Sequence, residues 1–293
     1  MRELKAELLS ILTAMPGSKS PHAEAERILL RVLSVARPEL DTFGKLYLLD
    51  PVPTSLERKQ ALDLAQARAS GVPLQHLLGE QTFLDRDYTV NPSTLIPRPE
   101  TEVLFISCAE WISKRKPGAR LRFGELGLGS GVLSCELLVR FSSASGVASE
   151  ASPAAIELAQ SNLSRWCGVD WRSRLTILPV SADQAFEVLL PHAPFDLIIS
   201  NPPYVARGDE IEPEVARHEP ESALFPWNDD PDFFYVDFVT KASRLMAPGG
   251  AAFFEIPHER ADRIEAEFQK SGAKQVCLIP DLTGRPRVLR AEF

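Results

Sequence analysis

The chain has 293 residues, enough for one large or two modest domains with well-buried cores, and 44% of them are hydrophobic. Its net charge of −8 argues against a long nucleic-acid footprint. No apolar run approaches the roughly 20 residues that cross a bilayer. The N-terminus alternates charge (Arg2, Glu3, Lys5, Glu7) with Leu4, Leu8, Leu9 and Leu12, as an amphipathic helix does and a signal peptide does not, so the expected compartment is the cytoplasm. Cys108, Cys135, Cys167 and Cys277 lack metal-ligand spacing, and no histidine clusters with them in sequence. Reduced thiols and no metal are expected.

Helical spacing runs through Leu4 to Met15, Ala23 to Val35, Phe43 to Leu49 and Leu56 to Ala69, with Pro16–Gly17, Pro38 and Pro51 to Pro53 as punctuation. This predicts a small helical bundle. Gly71-Val72-Pro73 then opens an irregular stretch, and Phe83 to Val90 alternates as a hairpin does. Pro92, Pro97 and Pro99 force an extended path into a helix beginning near Glu100. The basic run Lys114, Arg115, Lys116, with Arg120 and Arg122, reads as a solvated helix end before Pro117–Gly118 rather than a phosphate site.

From Arg120 onward strands alternate with helices. The expected strands are 121–126, 147–150, 174–180, 195–200, 250–256, 274–279 and 286–292. That is the pattern of an α/β sheet covered on both faces, with the last two strands, joined by a short loop, pairing antiparallel. The first strand runs into Gly127-Leu128-Gly129-Ser130-Gly131 and a helical pattern through Val132, Leu133, Leu137 and Leu138. Such glycines let a backbone turn tightly and approach a nucleotide-type ligand. An acid about 20 residues on, here Glu150, can grip two ribose hydroxyls. The dinucleotide fingerprint wants glycines at positions one, three and six. Here they fall at one, three and five, with Val132 in the sixth, which favours S-adenosylmethionine over NAD. Asp183, after the strand pattern Leu175 to Val180, could accept from an adenine amine.

Asn201-Pro202-Pro203-Tyr204 follows the buried-strand pattern Phe195 to Ser200. An amide or exocyclic amine nitrogen is a poor nucleophile, so an enzyme that alkylates it must hold its hydrogens with acceptors and aim its lone pair. The Asn201 side-chain oxygen and the Pro202 carbonyl can supply those acceptors, on a backbone stiffened by two prolines, with Tyr204 as a wall. Alone, the segment also reads as an ordinary Asn–Pro turn. Ligands in such sheets sit at the carboxyl ends of strands, and Gly127, Glu150, Asp183 and Asn201 all lie there, so they are expected to converge on one cleft.

These residues resemble the HemK/PrmC class of methyltransferases, and the resemblance covers nearly the whole chain. Gly71-Val72-Pro73-Leu74-Gln75-His76-Leu77-Leu78-Gly79 is similar to the linker signature of that family, and Asn91 to Glu102 (NPSTLIPRPETE) to its most distinctive segment. Arg217-His218-Glu219-Pro220 with Ala223-Leu224, and Asp281 to Val288, resemble its later signatures. The resemblance implies methyl transfer to the side-chain nitrogen of the glutamine in the Gly-Gly-Gln motif of peptide chain release factors, the expected protein partners. Its implied fold is a Rossmann-like, seven-stranded class I methyltransferase domain over residues 99–293, after an all-α substrate-recognition domain over 1–72 and a hairpin-bearing linker over 73–98.

Carried across, the resemblance gives Gly127, Leu128, Gly129, Ser130 and Gly131 the methionine part of the cofactor, Glu150 the ribose, and Asp183 with Gln184 the adenine. Glu125, where the family usually has Asp, would face the methionine amino group, and Asn201 would join the cofactor side of the cleft. Asn201 and Pro202 are the expected catalytic pair and Asn201 to Tyr204 the substrate clamp. Pro97 to Glu100 would close over the cleft. Pro257, Glu259, Arg260 and Asp230-Pro231-Asp232 depart from the family pattern. A structural loop role is expected of His218 and Glu219 rather than a proton relay. Two other enzymes would share this chemistry, one methylating a ribosomal-protein glutamine and one a nucleic-acid amine. A non-catalytic binding module would share only the cofactor cleft.

Overall fold

All but one of the leucines of the first helical stretch fall inward in the computed structural model, which describes residues 1–15, 20–115 and 118–293. Leu4, Leu8 and Leu12, three to four residues apart, are buried along α1 (Arg2–Thr13). They meet Ala25, Ile28, Leu29 and Leu33 of α2 (Pro21–Ala36), Leu46 of α3 (Phe43–Leu49), and Ala61 and Ala65 of α4 (Ser55–Ala69). Thr54 and Glu57 start α4 with reciprocal side-chain-to-backbone bonds that satisfy two otherwise orphaned N–H groups. The expected breaks at Pro16–Gly17, and Lys116 and Pro117 of the basic run, lie outside the described residues.

The chain divides into two compact units, residues 1–80 with 212–218, and residues 81–211 with 219–293. In the first, the expected irregular stretch holds a short helix, α5 (Leu74–Leu78), which Gly79 ends in the left-handed region. Five residues give too few turns for a readable period. Arg68, 8% exposed, donates to Glu24 (3.0 Å), to the Val72 carbonyl (3.1 Å) and to Glu214 (2.7 Å), tying 212–218 to the bundle.

The two-stranded hairpin is β1 (Glu80–Phe83) with β2 (Arg86–Thr89), beginning three residues before the expected alternation because Glu80, Gln81 and Thr82 carry no apolar signal. The helix expected near Glu100 is α6 (Pro99–Ser113), with Pro99 in its first turn. Then follow β3 (Leu121–Leu126), α7 (Val132–Arg140), β4 (Ala144–Glu150), α8 (Pro153–Cys167), β5 (Leu175–Pro179) and β6 (Phe195–Ser200). After the short helices α9 (Pro213–His218) and α10 (Glu221–Leu224) come α11 (Phe233–Leu245), β7 (Met246–Glu255), α12 (Ala261–Phe268), β8 (Gln275–Pro280) and β9 (Pro286–Glu292). Two strands outrun their sequence patterns: β4 starts at Ala144 and β7 at Met246, where Pro248, Gly249 and Gly250 mask the strand and the pairing with β6 shifts register.

The seven strands from β3 to β9 form one sheet ordered β5-β4-β3-β6-β7-β9-β8, parallel except for β9, which runs antiparallel to both neighbours. Residues alternate between faces. Phe123, Leu197, Ile199 and Phe253 pack with α6, α7 and α8. Ile198, Ala252 and Phe254 pack with α11 and α12 on the other side, where Phe186, Phe238, Phe254 and Phe268 form an aromatic cluster. Strand order reverses between β3 and β6, the position where the crevice of a doubly wound sheet opens. Arg115 donates to Asp196 (2.8 Å) and to the Gly249 carbonyl (3.2 Å), a helix-end clamp on the sheet.

Candidate active site

Each loop at this crevice is shaped by a residue that few others could replace. After β3 the backbone takes positive φ at Gly127 (+73°), Gly129 (+54°) and Gly131 (+80°), a region that L side chains avoid. The N–H groups of Gly127 and Leu128 donate to the Ser149 carbonyl (3.0 and 3.1 Å), and that of Gly129 to Glu150 Oε2 (2.8 Å). Glu150 Oε1 accepts from the N–H groups of Ala151 (2.9 Å) and Ser152 (2.8 Å). Three donors leave part of a carboxylate's four lone-pair sites for a ligand hydroxyl. A Cβ on Gly131 would stand 3.0 Å from that of Ala159, so this glycine lets α8 approach the loop.

The crevice is a cleft of about 1020 Å³, part of it open solvent, lined by Glu125, Gly127, Leu128, Gly129, Ser130, Glu150, Asn201 and Pro203 among the residues expected from sequence. Gly131, Asp183, Gln184, Pro202 and Tyr204 are not among its lining residues. Asp183 and Gln184 sit exposed on a 3₁₀ turn (Ala182–Gln184) whose flanking Ala182 and Ala185 face the cleft instead, as side chains three apart in such a turn do. Pro202 is buried, and Tyr204 turns its hydroxyl to Glu255. Pro97 and Thr101 line the cleft from the Pro97 to Glu102 segment. That segment is held by Glu219, which accepts from the Ile96 N–H (3.0 Å) and pairs with Arg98, so Glu219 serves the loop.

Glu125 is 1% exposed at the end of β3. Burial pushes its carboxyl up to about 8, against the hydrogen bonds from Ser134, and the nearby Glu150 charge acts in the same direction as burial. A buried carboxyl at the floor of a cleft favours a cationic partner. Two more buried polar atoms there, Thr94 Oγ1 and Ser149 Oγ, have no hydrogen-bond partner among the described residues and belong to cleft-lining residues. Leu95, Val180, Ala182 and Phe234 give the same cleft an apolar wall. A ligand combining an ammonium group, sugar hydroxyls and a flat apolar ring fits this lining, as S-adenosylmethionine does.

Sequence reasoning missed the residues that support the cleft. Asn162, wholly buried on α8, accepts from the Thr89 N–H (2.8 Å) and donates to the carbonyls of Thr89 (3.0 Å) and Ser130 (2.9 Å), fastening the glycine loop to β2. Asn201 Nδ2 donates to Thr101 Oγ1 (3.0 Å), and Thr101 donates in turn to Glu255 (2.7 Å). These partners lie 32 to 154 residues apart, so spacing carried no signal. Among the described residues no group of three or more His, Cys, Asp and Glu is placed to hold a metal ion. No described helix is long and apolar enough to cross a membrane.

Residues 113–219 match the family model described as methyltransferase small domain. The chain is 33% identical over 290 residues to the release factor glutamine methyltransferase of Mycolicibacterium smegmatis, covering 97% of this chain and 95% of that protein. This chain belongs to the release factor glutamine methyltransferase family. The protein of that name from Deinococcus radiodurans is likewise 33% identical over 294 residues, with 99% of this chain and 98% of that protein covered. The crystal structure of a release factor-specific protein-(glutamine-N5) methyltransferase from Alicyclobacillus acidocaldarius is 23% identical, covers 70% of this chain and 98% of that one, and has a TM-score of 0.41.

Proposed function

We propose that this enzyme methylates the side-chain amide nitrogen of the glutamine in the Gly-Gly-Gln motif of peptide chain release factors. The observation that carries the reading is the Asn201 amide at the carboxyl end of β6, lining the same cleft as the glycine loop at the carboxyl end of the adjacent strand β3. Near full-length similarity to proteins named for this activity supports it. When bound, S-adenosylmethionine would supply the methyl group, its S–CH₃ bond breaking as the N–CH₃ bond forms and its sulfur leaving as a neutral thioether. Glu150 holds the ribose hydroxyls, Gly127 to Ser130 bed the methionine portion, and Glu125 faces its ammonium. Val180, Ala182 and Ala185 pack the adenine, with Asp183 and Gln184 at the rim, and Gly131 supports the loop from behind.

On the acceptor side, Asn201 Oδ1 and the Pro202 carbonyl take the two amide hydrogens, Pro203 confines the group, and Tyr204, its hydroxyl on Glu255, backs the turn. This turns the nitrogen lone pair toward the methyl carbon. Orientation of two bound reactants accounts for about 7–11 kcal/mol of barrier lowering in well-aligned reactions. The nitrogen becomes acidic as it gains the methyl and gives its proton to water afterwards, so the clamp needs no base. The helical unit, with Leu48, Leu49, Val52 and Leu56 exposed, recognises the release factor, and such a substrate puts the enzyme in the cytoplasm. The test is incorporation of labelled methyl into a purified release factor. A factor whose motif glutamine is replaced should take up none, and equal labelling of that control refutes the assignment.

A further inference from the structure

We infer that Thr101 and Glu255 are positioning residues that hold the Asn201 amide in one of its two orientations, oxygen toward the cleft, and so select a substrate amide over a carboxylate. The inference rests on the proposed methylation of a glutamine side chain. The two ends of an asparagine amide are nearly equal in shape and opposite in hydrogen-bond sense. Turned one way, Asn201 accepts an N–H from the substrate. Turned the other, it donates, and the same cleft then suits a carboxylate or the oxygen of the amide. The fate of the reaction depends on which end faces in.

The choice is made by a hydroxyl that has only one proton. Thr101 Oγ1 lies 3.0 Å from Asn201 Nδ2 and 2.7 Å from Glu255 Oε2. With the threonine proton committed to the carboxylate, its oxygen can only accept, so the amide nitrogen must face it and Oδ1 is left for the cleft. Glu255 is held in turn. Its other oxygen takes the Tyr204 hydroxyl proton (3.1 Å), its backbone carbonyl takes that of Tyr235 (2.9 Å), and the residue is 2% exposed. Burial pushes the Glu255 carboxyl up, and the hydroxyls of Thr101 and Tyr204 with the Arg287 charge act against it; two hydroxyl donors aimed at its two oxygens match the acceptor-only, ionised form. The fold makes the alignment possible. Ser200 of β6 pairs with Phe254 of β7, which places Asn201 and Glu255 side by side where the strands end, and Thr101 enters from the first turn of α6. A carboxyl group at this depth costs stability that an apolar residue would not, and its two side-chain partners, Thr101 and Tyr204, lead to or belong to the tetrad.

The test uses the full chain. Thr101→Val keeps the side-chain shape and removes the hydroxyl. It should lower kcat on a release factor by about 10- to 100-fold, the usual cost of removing a group that orients a reacting residue, while KM for S-adenosylmethionine stays within about twofold. Thr101→Ser should restore most of the rate. Glu255→Gln can accept only one of the two hydroxyl protons and should also slow turnover. A second readout does not need turnover. The chain has four asparagines, Asn91, Asn162, Asn201 and Asn228, so ¹⁵N labelling of asparagine gives four side-chain amide pairs. The Asn201 pair should move in Thr101→Val and Glu255→Gln and hold in Thr101→Ser. Binding of a Gly-Gly-Glu peptide relative to Gly-Gly-Gln should tighten in the valine variant. Unchanged rate with an unmoved Asn201 pair in Thr101→Val overturns the positioning role. A wild-type chain that methylates no release factor overturns the substrate reading instead, and the amide signals still decide the orientation.

Discussion

Cofactor affinity should rise about tenfold between pH 6 and pH 7, and Glu125 should be the cause. Burial puts its carboxyl at about 8 in the free chain, so it is almost fully protonated at pH 6. If the cationic cofactor needs the ionised form, its apparent affinity is the intrinsic one scaled by the ionised fraction. That fraction grows by about one decade per pH unit below 8 and levels off above it. Binding at pH 6 to 7 must then release close to one proton. Calorimetry in two buffers of different ionisation enthalpy counts that proton, and Glu125→Gln should abolish both the slope and the release. The sign for stability is opposite. The folded-state value is raised above the ordinary 4.5, so the Glu125 contribution is fully present below 4.5 and is lost as pH rises through 8. The ligand-free wild type should therefore lose stability relative to Glu125→Gln over that window. An affinity that is flat from pH 6 to 7, or a slope that survives in the glutamine variant, refutes the role of this carboxyl.

Glu150→Ala should weaken the cofactor by about 1.5–3 kcal/mol, the range for charge-assisted hydrogen bonds. The same change frees the Gly129 N–H, and an unaltered Kd by calorimetry would remove Glu150 from the site. Asn201→Ala should cost about 10²- to 10³-fold in kcat with little change in KM, by analogy with the loss of one positioned donor at a reacting centre. Asn201→Asp, which keeps an acceptor toward the cleft but loses the donor to Thr101, should retain more activity than alanine in the same methyl-incorporation assay if acceptance alone matters. Leu48→Ser with Val52→Ser, at positions 83% and 82% exposed, should raise KM for the release factor and leave cofactor affinity alone; an unchanged KM would take recognition away from this patch.

The glycine-loop side of the cleft was legible because its constraints are local. Three positive φ values within five residues require glycines, and Glu150 reaches back only 21 residues to Gly129. Strand positions were legible wherever both faces are apolar, as in Phe195 to Ser200. They were not where turn residues or polar ones form the strand, as at Met246 to Gly250 and Glu80 to Thr82. The expectation that Asp183 meets the ligand followed from its place after a strand, and that for Gln184 from the family resemblance; the turn that carries them exposes both while facing Ala182 and Ala185 inward. Sequence held no trace of the Thr101–Glu255 pair, since its members are 154 residues apart and only the sheet register brings them level with Asn201.

The adjacency of β3 and β6 has a further consequence. Neighbouring strands lie about 4.8 Å apart whatever their side chains, and on the proposed reading one carries the loop for the methyl donor and the next the loop for the acceptor. The spacing between the two loops is thus a property of the backbone ladder, indifferent to most changes of side chain. On that reading, variation in the tetrad or in the surfaces around it would alter which nitrogen is presented, while the strand spacing beneath the two loops stays the same.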